Sequence, residues 1–493
     1  MTDHEDLSEQ ERIRREKLDR LQGSGVEGYP VSVPRTTTNA ALRAAYPDLA
    51  ADTATGDQVS IAGRVVLRRD GGKLCFATLR DGSGDLQVML SLDRVGEDRL
   101  EEWKRDVDLG DHVSVTGEVI SSKRGELSVL ADSWLLASKA LRPLPEKWKG
   151  LVDEETRVRR RYVDLIVNPD ARKMVELRAI VLRSLRDTLD SRGYVEVETP
   201  ILQPLHGGAS ARPYASHMNA FDTPVYLRIA LELYLKRLVV GGVERVYEIG
   251  RTFRNEGVDS THANDFTMLE AYEAYGDYDT MAELTRDLVV NAARAAGTTV
   301  VPRHGGGELD LEAPWRTVSV YGAISEALGE EISPDTSAEV LRELAAAREV
   351  ALQPSWGEGE IVLELYEQLV EHALIEPTFV RDYPASVRPL ARPHRDDPRL
   401  TEAWDLVVNG VELAPAYSEL VDPVEQRRRL TEQSLKAAGG DAEAMQLDED
   451  FLRALEHGAP PMGGMGMGID RLLMLLTGEN MRQTVTFPFV RPE

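Results

Sequence analysis

Between residues 57 and 140 the chain breaks into short β-rich runs: VSIAGRVVLRR, KLCFATLRD, DLQVMLS, DHVSVTGEVI and GELSVLADSWLL. Asp81-Gly82, Gly84-Asp85 and Arg124-Gly125 read as turns between several of them. Five short strands in so small a span suit a closed barrel, with the OB-fold as the first expectation. Such barrels bind single-stranded nucleic acid on aromatic platforms. Phe76 and Gln87 lie on adjacent runs, where a stacking ring and an amide could face one ligand; Phe76 fits a barrel core equally well.

From about residue 166 the pattern changes. VELRAIVLRSLRDTLDSRGY carries apolar residues at helical spacing and ends at Gly193. VEVETPIL follows as a strand closing on Pro200, and VYLRI, RVYEIGRTFRNE, FTMLEAYEAY and EAWDLVVNGVELA continue as strands, with helices over much of 281–376. Hairpin-like strands with few helical crossovers predict an α+β fold built on an antiparallel sheet with flanking helices. The organisation expected is a charged helical extension (1–55), a barrel (56–142), a linker (143–165) and a larger α+β domain (166–493). In the extension, the basic residues from Arg12 to Arg20 suit either a polyanion or a solvated helix face.

Composition narrows the function classes. The 493 residues carry a formal net charge of −26, which excludes a uniformly basic nucleic-acid coat but leaves room for a local basic groove. The single cysteine, Cys75, excludes a disulfide framework and a Cys-clustered zinc site. No stretch has the length of a membrane span, and the charged start MTDHEDLSEQERIRREKLDRL is no secretory signal, so a cytoplasmic protein is expected.

No P-loop, dinucleotide glycine fingerprint or catalytic nucleophile stands out. Acidic and arginine residues in strand contexts do. Arg254 and Glu256 lie in TFRNEG, followed by His262, Phe266, Glu270 and Tyr272. Arg254 suits a phosphate as a fixed cation, Glu256 an adenine amine and Phe266 the face of a base. Glu270 and Tyr272 share one strand face. Asp405 and Glu412 flank an apparent turn at Asn409-Gly410, as a Mg²⁺ shared with a phosphate requires, although two exposed hairpin charges would look the same. PPMGGMGMGIDRLLMLLTG is glycine-rich, then helical, with Arg471 opening the helix.

Taken together, these segments resemble the class II aminoacyl-tRNA synthetases. FRNEG…H…F resembles their motif 2, GMGIDRLLML their motif 3, and SRGYVEVETPIL their motif 1 dimer strand. KLCFATLRDGSGDLQVML resembles the anticodon-binding barrel of the lysine, aspartate and asparagine subgroup. HGGASARPY, LRIALELYLKRLVVGG and AYSELVDP point to its lysine branch, and part of the C-terminal half also resembles the synthetase portion of bifunctional proteins that lysylate phosphatidylglycerol.

The resemblance implies an ATP-dependent lysine–tRNA ligase that works through lysyl-adenylate with Mg²⁺, as a homodimer without membrane attachment. By the same resemblance Arg254 binds the α-phosphate and the amino-acid carboxylate, while Glu256, Phe266, His262 and Arg471 hold the rest of ATP. Gly208 and Glu232 hold the lysine α-amino group, and Glu270, Tyr272 and Glu419 its side-chain ammonium. Asp405 and Glu412 ligate metal. Phe76, Gln87 and Glu126 read the anticodon, with Arg68 as a partner.

Three departures stand out: HANDF (Ala263, Asn264, Asp265) where the family has HNPEF, Leu231 where it has proline, and Pro415 where a polar side chain contacts the amino-acid carboxylate. Alternative readings are a paralogue that supplies lysyl-adenylate or lysyl-tRNA to another acceptor, and a catalytically silent RNA-binding relative.

Overall fold

The computed structural model describes residues 7–145, 151–257, 259, 261–439 and 444–491. Two compact units emerge, Met1–Leu151 and Val152–Glu493.

The first unit is a closed five-stranded barrel in the order Thr53–Asp70, Leu74–Asp81, Gly84–Ser91, Leu127–Ser138, His112–Ser121, as the strand pattern predicts for an OB-fold. Alternate residues Cys75, Ala77 and Leu79, then Leu86, Val88 and Leu90, point inward and are fully or almost fully buried. Leu100 and Trp103 of the helix Glu97–Asp106 join this core, with Trp103 edge-on to Trp134 at 5.4 Å. The N-terminal helix Glu9–Gly23 starts in a capping box between Ser8 and Glu11. Its basic residues are largely committed to the barrel. Arg14 donates to the carbonyls of Ala140 and Leu109, Lys17 pairs with Asp108, and Arg20 pairs with Asp106. That use favours a structural role for these three cations over a polyanion surface.

The second unit is built on an eight-stranded sheet in the order Arg316–Ser319, Thr378–Arg381, Ala403–Val408, Val411–Ser418, Met462–Gly468, Asp265–Ala274, Arg245–Phe253, Val195–Glu196. The six inner strands pair antiparallel, and only the two edge strands run parallel to their neighbours. Helices Pro169–Ser191, Tyr278–Ala296 and Ile469–Thr477 bury Leu185, Leu189, Leu284, Leu288, Leu472 and Leu473 against the back of the sheet. Asn168 caps the first of these with Pro169 at its start, and Asp277 caps the second.

Two local expectations change. VEVETPIL forms not one strand but the two-residue strand Val195–Glu196 and the first residue of Leu202–Gln203, with Pro200, which cannot donate to a ladder, lying between them. The stretch expected as a linker is helical in its second part: Asp153 caps Glu154–Arg159, and Arg161–Val167 follows, with Arg161 and Asp164 buried as an ion pair. Residues 146–150 of that stretch lie outside the described residues.

Candidate active site

The front of the sheet carries the polar residues singled out above. In Asp265–Ala274, period-two alternation puts Phe266, Met268, Glu270 and Tyr272 on one face. Across the hairpin, Asn409 and Gly410 both have positive φ (54° and 72°), as a tight two-residue turn requires. A Cβ on Gly410 would meet the His372 carbonyl oxygen at 2.7 Å. Asp405 pairs with Pro415 in register, but Val407 pairs with Glu412 rather than Leu413. This bulge turns Leu413 into the back core together with Ala414 and leaves Glu412 on the front with Pro415 and Tyr417.

Two cavities abut here. The first, of about 290 Å³, is lined by the predicted residues Gly208, Glu232, Arg254, Glu270, Tyr272, Asp405, Glu412 and Glu419. The second, of about 300 Å³, is lined by the predicted residues Arg254, Glu256, His262, Phe266, Glu412 and Arg471. Arg254, Met268, Glu412 and Pro415 border both. Every residue expected at the synthetic site thus falls on one cavity or the other.

The first cavity is an acidic slot. Glu232, Glu270 and Glu419 are buried, and the only described ammonium bonded to any of them is Lys236, at 2.6 Å from Glu232 and 2.5 Å from Glu419. Glu419 Oε1 has no hydrogen-bond partner among the described residues. Burial, then repulsion from Glu232, pushes the Glu270 carboxyl up to about 7. Burial also pushes Glu419 up to about 8, although Lys236 pulls the other way. The Leu231 amide donates to Glu270 at 2.9 Å and the Tyr272 hydroxyl at 3.1 Å. A proline at 231 could not make that first bond, so this departure gives Glu270 an additional donor. Gly208, at φ 86°, has room only for hydrogen: a Cβ would lie 3.0 Å from Ala230 Cβ.

The second cavity places Arg254 5.2 Å from the centre of the Phe266 ring, with Arg471 donating to the Glu412 carbonyl at 2.7 Å. Asn264, part of the HANDF departure, donates to the carbonyls of Arg254 and Glu256 at 2.9 and 2.7 Å and so ties the loop across itself. His262 is exposed and held by Asp259, whose carboxyl sits down at about 2 through bonds to Thr261 and His262 that outweigh its partial burial.

Asp405 Oδ1 is buried without a hydrogen-bond partner among the described residues, while Oδ2 takes the Arg388 guanidinium. With Glu412 on the same face, the donor set is hard oxygen, suited to Mg²⁺. Sequence reasoning missed Arg388, Lys236 and Tyr417. Glu232 and Lys236 stand four apart on one helix face, a visible pair, but nothing in the spacing says that it is buried.

On the barrel, Phe76 and Gln87 face outward as diagonal neighbours, since Phe76 pairs with Met89 and Thr78 with Gln87. Gln87 donates to Ser128 at 2.8 Å, and Glu126 is exposed beside Arg43. Arg68 is displaced from this face. A bulge between Val65 and Leu67 shifts the register, so Arg69 stands opposite Phe76. Arg68 instead pairs with Asp70 and donates to the Lys104 carbonyl.

Comparison with known proteins gives a consistent picture. Residues 153–491 match the family described as tRNA synthetases class II (D, K and N), and residues 59–137 match the OB-fold nucleic acid binding domain. The chain is 59% identical over 491 residues to a lysine–tRNA ligase of Kineococcus radiotolerans, covering 99% of this chain and 98% of that protein. It is 57% identical to that of Mycolicibacterium gilvum over the same length and with the same coverage. It is also 53% identical to a lysylphosphatidylglycerol biosynthesis bifunctional protein of Nocardia farcinica, covering 98% of this chain and 43% of that protein.

Proposed function

The chain belongs to the class II tRNA synthetases for aspartate, lysine and asparagine, and from that premise we infer what its two cavities do. The protein ligates lysine to tRNA through lysyl-adenylate, at the expense of ATP. The observation that carries the residue assignment is the pair of abutting cavities, one acidic and one carrying Phe266 and Arg471, with Arg254 on both.

In this reading the acidic slot takes lysine, and the neighbouring cavity takes ATP. Phe266 stacks on adenine, Glu256 accepts from its amine, and His262 and Arg471 hold the β- and γ-phosphates. Arg254 neutralises the α-phosphate and orients the lysine carboxylate, whose oxygen attacks the α-phosphorus in line as pyrophosphate leaves. The 3′-terminal ribose hydroxyl of the tRNA then attacks the adenylate carbonyl and releases AMP. Orientation and fixed charge supply the rate, so no protein nucleophile is required. Asp405, through its free Oδ1, and Glu412 would hold Mg²⁺, which supplies positive charge against the polyphosphate.

Lysine-dependent ATP–pyrophosphate exchange, run beside aspartate and asparagine, tests the assignment. Exchange with aspartate or asparagine but not lysine rejects it. The bifunctional relative motivates a second reading, in which the lysyl-tRNA feeds another acceptor; both readings share the same first two steps.

The slot's electrostatics predict a proton linkage. Glu270 and Glu419 hold protons near neutrality because burial and like charge disfavour their ionised forms. An ammonium reverses that preference, so seating lysine expels protons. Lysine affinity should therefore rise with pH between about 6 and 8, by up to about tenfold per unit for each proton released, and level off above. Calorimetry of lysine binding at pH 7 in buffers of different ionisation enthalpy should show net proton release. Release of no protons would reject the linkage.

The outward face of the barrel, with Phe76, Gln87 and Arg69, is the proposed anticodon reader, with Glu126 at its margin. Phe76→Ala should weaken tRNA binding by about 1–3 kcal/mol, the usual worth of one stacked base. The barrel's thermal midpoint should hold, because Phe76 lies outside its core. Filter binding and thermal melts check both.

A homodimer belongs to the same proposal. Val195, Ile201 and Leu202, in the segment resembling motif 1, are each roughly half exposed. Among the described residues no helix is long and apolar enough to cross a membrane. A cytoplasmic location is proposed with the translational role.

A further inference from the structure

Pro415 leaves a gap in the chemistry of the slot. It borders both cavities at the point where the amino-acid carboxylate must meet the α-phosphate, yet its ring offers no hydrogen bond. Arg254 alone would then serve two anions.

A second guanidinium lies beside it. Arg388 follows the short turn Ala385–Val387 and lines the slot but not the nucleotide cavity. Its side chain is four-fifths buried. One nitrogen, Nη2, is bonded to Asp405 Oδ2, and Asp405 is the cross-strand neighbour of Pro415. The guanidinium stacks over the Tyr383 ring at 4.3 Å, which fixes its plane. Its buried Nε has no hydrogen-bond partner among the described residues. A buried cation donor left unpaired beside a cavity is costly unless a ligand completes it.

The slot is also electrically graded. Glu232 and Glu419 gather about Lys236, whereas Arg254 and Arg388 are the cations that line the cavity itself among the described residues. A zwitterion with a cationic tail suits that polarity, with its carboxylate toward the arginines. Guanidinium forks are well matched to carboxylates.

We propose that Arg388 contacts the α-carboxylate of the bound amino acid and so replaces the hydrogen bond that Pro415 cannot give. The inference rests on the reading of the slot as the lysine site. It leaves Arg254 free to serve the α-phosphate, and it makes Asp405 bifunctional, with Oδ2 steadying Arg388 and Oδ1 open to the cation.

The test compares lysine with lysinol, which has the same two amines but no carboxylate. In the full-length enzyme, Arg388→Met should weaken lysine binding by about 30–100-fold and lysinol binding by less than about threefold, as expected for loss of a charge-assisted bond. Adding Pro415→Asn to Arg388→Met should recover at least about tenfold in lysine affinity. Arg388→Lys keeps the ion pair to Asp405 and loses only the fork, so it should weaken lysine by about five- to tenfold and spare lysinol; it also serves if the methionine variant fails to fold. Equal losses for lysine and lysinol, or no loss for either, would overturn the proposal, since an arginine that merely braces Asp405 cannot distinguish them. Wild-type binding is the control. If the wild type binds neither ligand, the reading of the slot fails; if it binds both and the variants do not discriminate, only the role of Arg388 fails.

Discussion

Glu419→Gln is expected to lower kcat/KM for lysine by about two to three orders of magnitude, with the KM for ATP changed by less than about threefold. Glu419 is 2% exposed, lines the slot just past the end of Val411–Ser418, and has Lys236 as its one bonded cation among the described residues. An ammonium arriving in this slot loses its hydration, and carboxylates must replace it. Breaking one partner of a buried pair costs about 3–5 kcal/mol, because the other charge stays in place without compensation. Glutamine keeps the volume and removes the charge, so packing against Tyr272 and Gly464 survives. Lys236 retains Glu232, which limits the structural damage. The proton linkage separates this account from a general loss of fold. In the variant, the protons released on lysine binding should fall, leaving Glu270 as the main source. Unchanged lysine kinetics, or an equal loss for ATP, would contradict the acidic slot as the seat of specificity.

The barrel and the antiparallel domain were legible because their signals are local. Alternation along a strand put Glu270 beside Tyr272, and an Asn-Gly turn between apolar runs brought Asp405 toward Glu412. What the pattern could not convey was irregularity. The bulge at Leu413 sets which face Glu412 takes, and the one between Val65 and Leu67 exchanges Arg68 for Arg69 beside Phe76. A bulge adds one residue to one strand without any obligatory residue type, so it escapes a reading by period. Arg388 escaped for a different reason. It lies in a proline-flanked turn, where no periodicity assigns a face, and its partner Asp405 is 17 residues on. Lys236 was visible as a helical neighbour of Glu232, but its burial depends on Glu419, far away in the chain. Pro415, by contrast, was conspicuous in sequence as a side chain that cannot bond, and the structure supplies the group beside it.

Gly464→Ala is expected to abolish measurable lysine activation, while Gly466→Ala leaves the fold intact and produces a smaller loss. Both glycines lie in Met462–Gly468, between the strand that carries Glu270 and the strand that ends just before Glu419. A Cβ at Gly464 would overlap the Glu419 carboxylate and stand 2.6 Å from Tyr272 Cδ1. Neither neighbour can yield cheaply. Lys236 holds Glu419, and the Tyr272 hydroxyl is committed to Glu270. The added methyl must push the acids out of position or part the strands. Overpacking of this kind costs about 1–3 kcal/mol of stability, and the displaced carboxylates no longer converge on one ammonium. At Gly466 the nearest atoms are 3.7 Å and 4.0 Å away, on Glu270 and Pro415, which is ordinary contact. That methyl occupies slot volume without moving an acid, so its effect should fall on lysine KM with the melting temperature unchanged. Melting temperature together with pyrophosphate exchange resolves the pair. A Gly464→Ala enzyme as active and stable as the wild type would mean that the ammonium seat does not depend on the close approach of this strand to Glu419 and Tyr272.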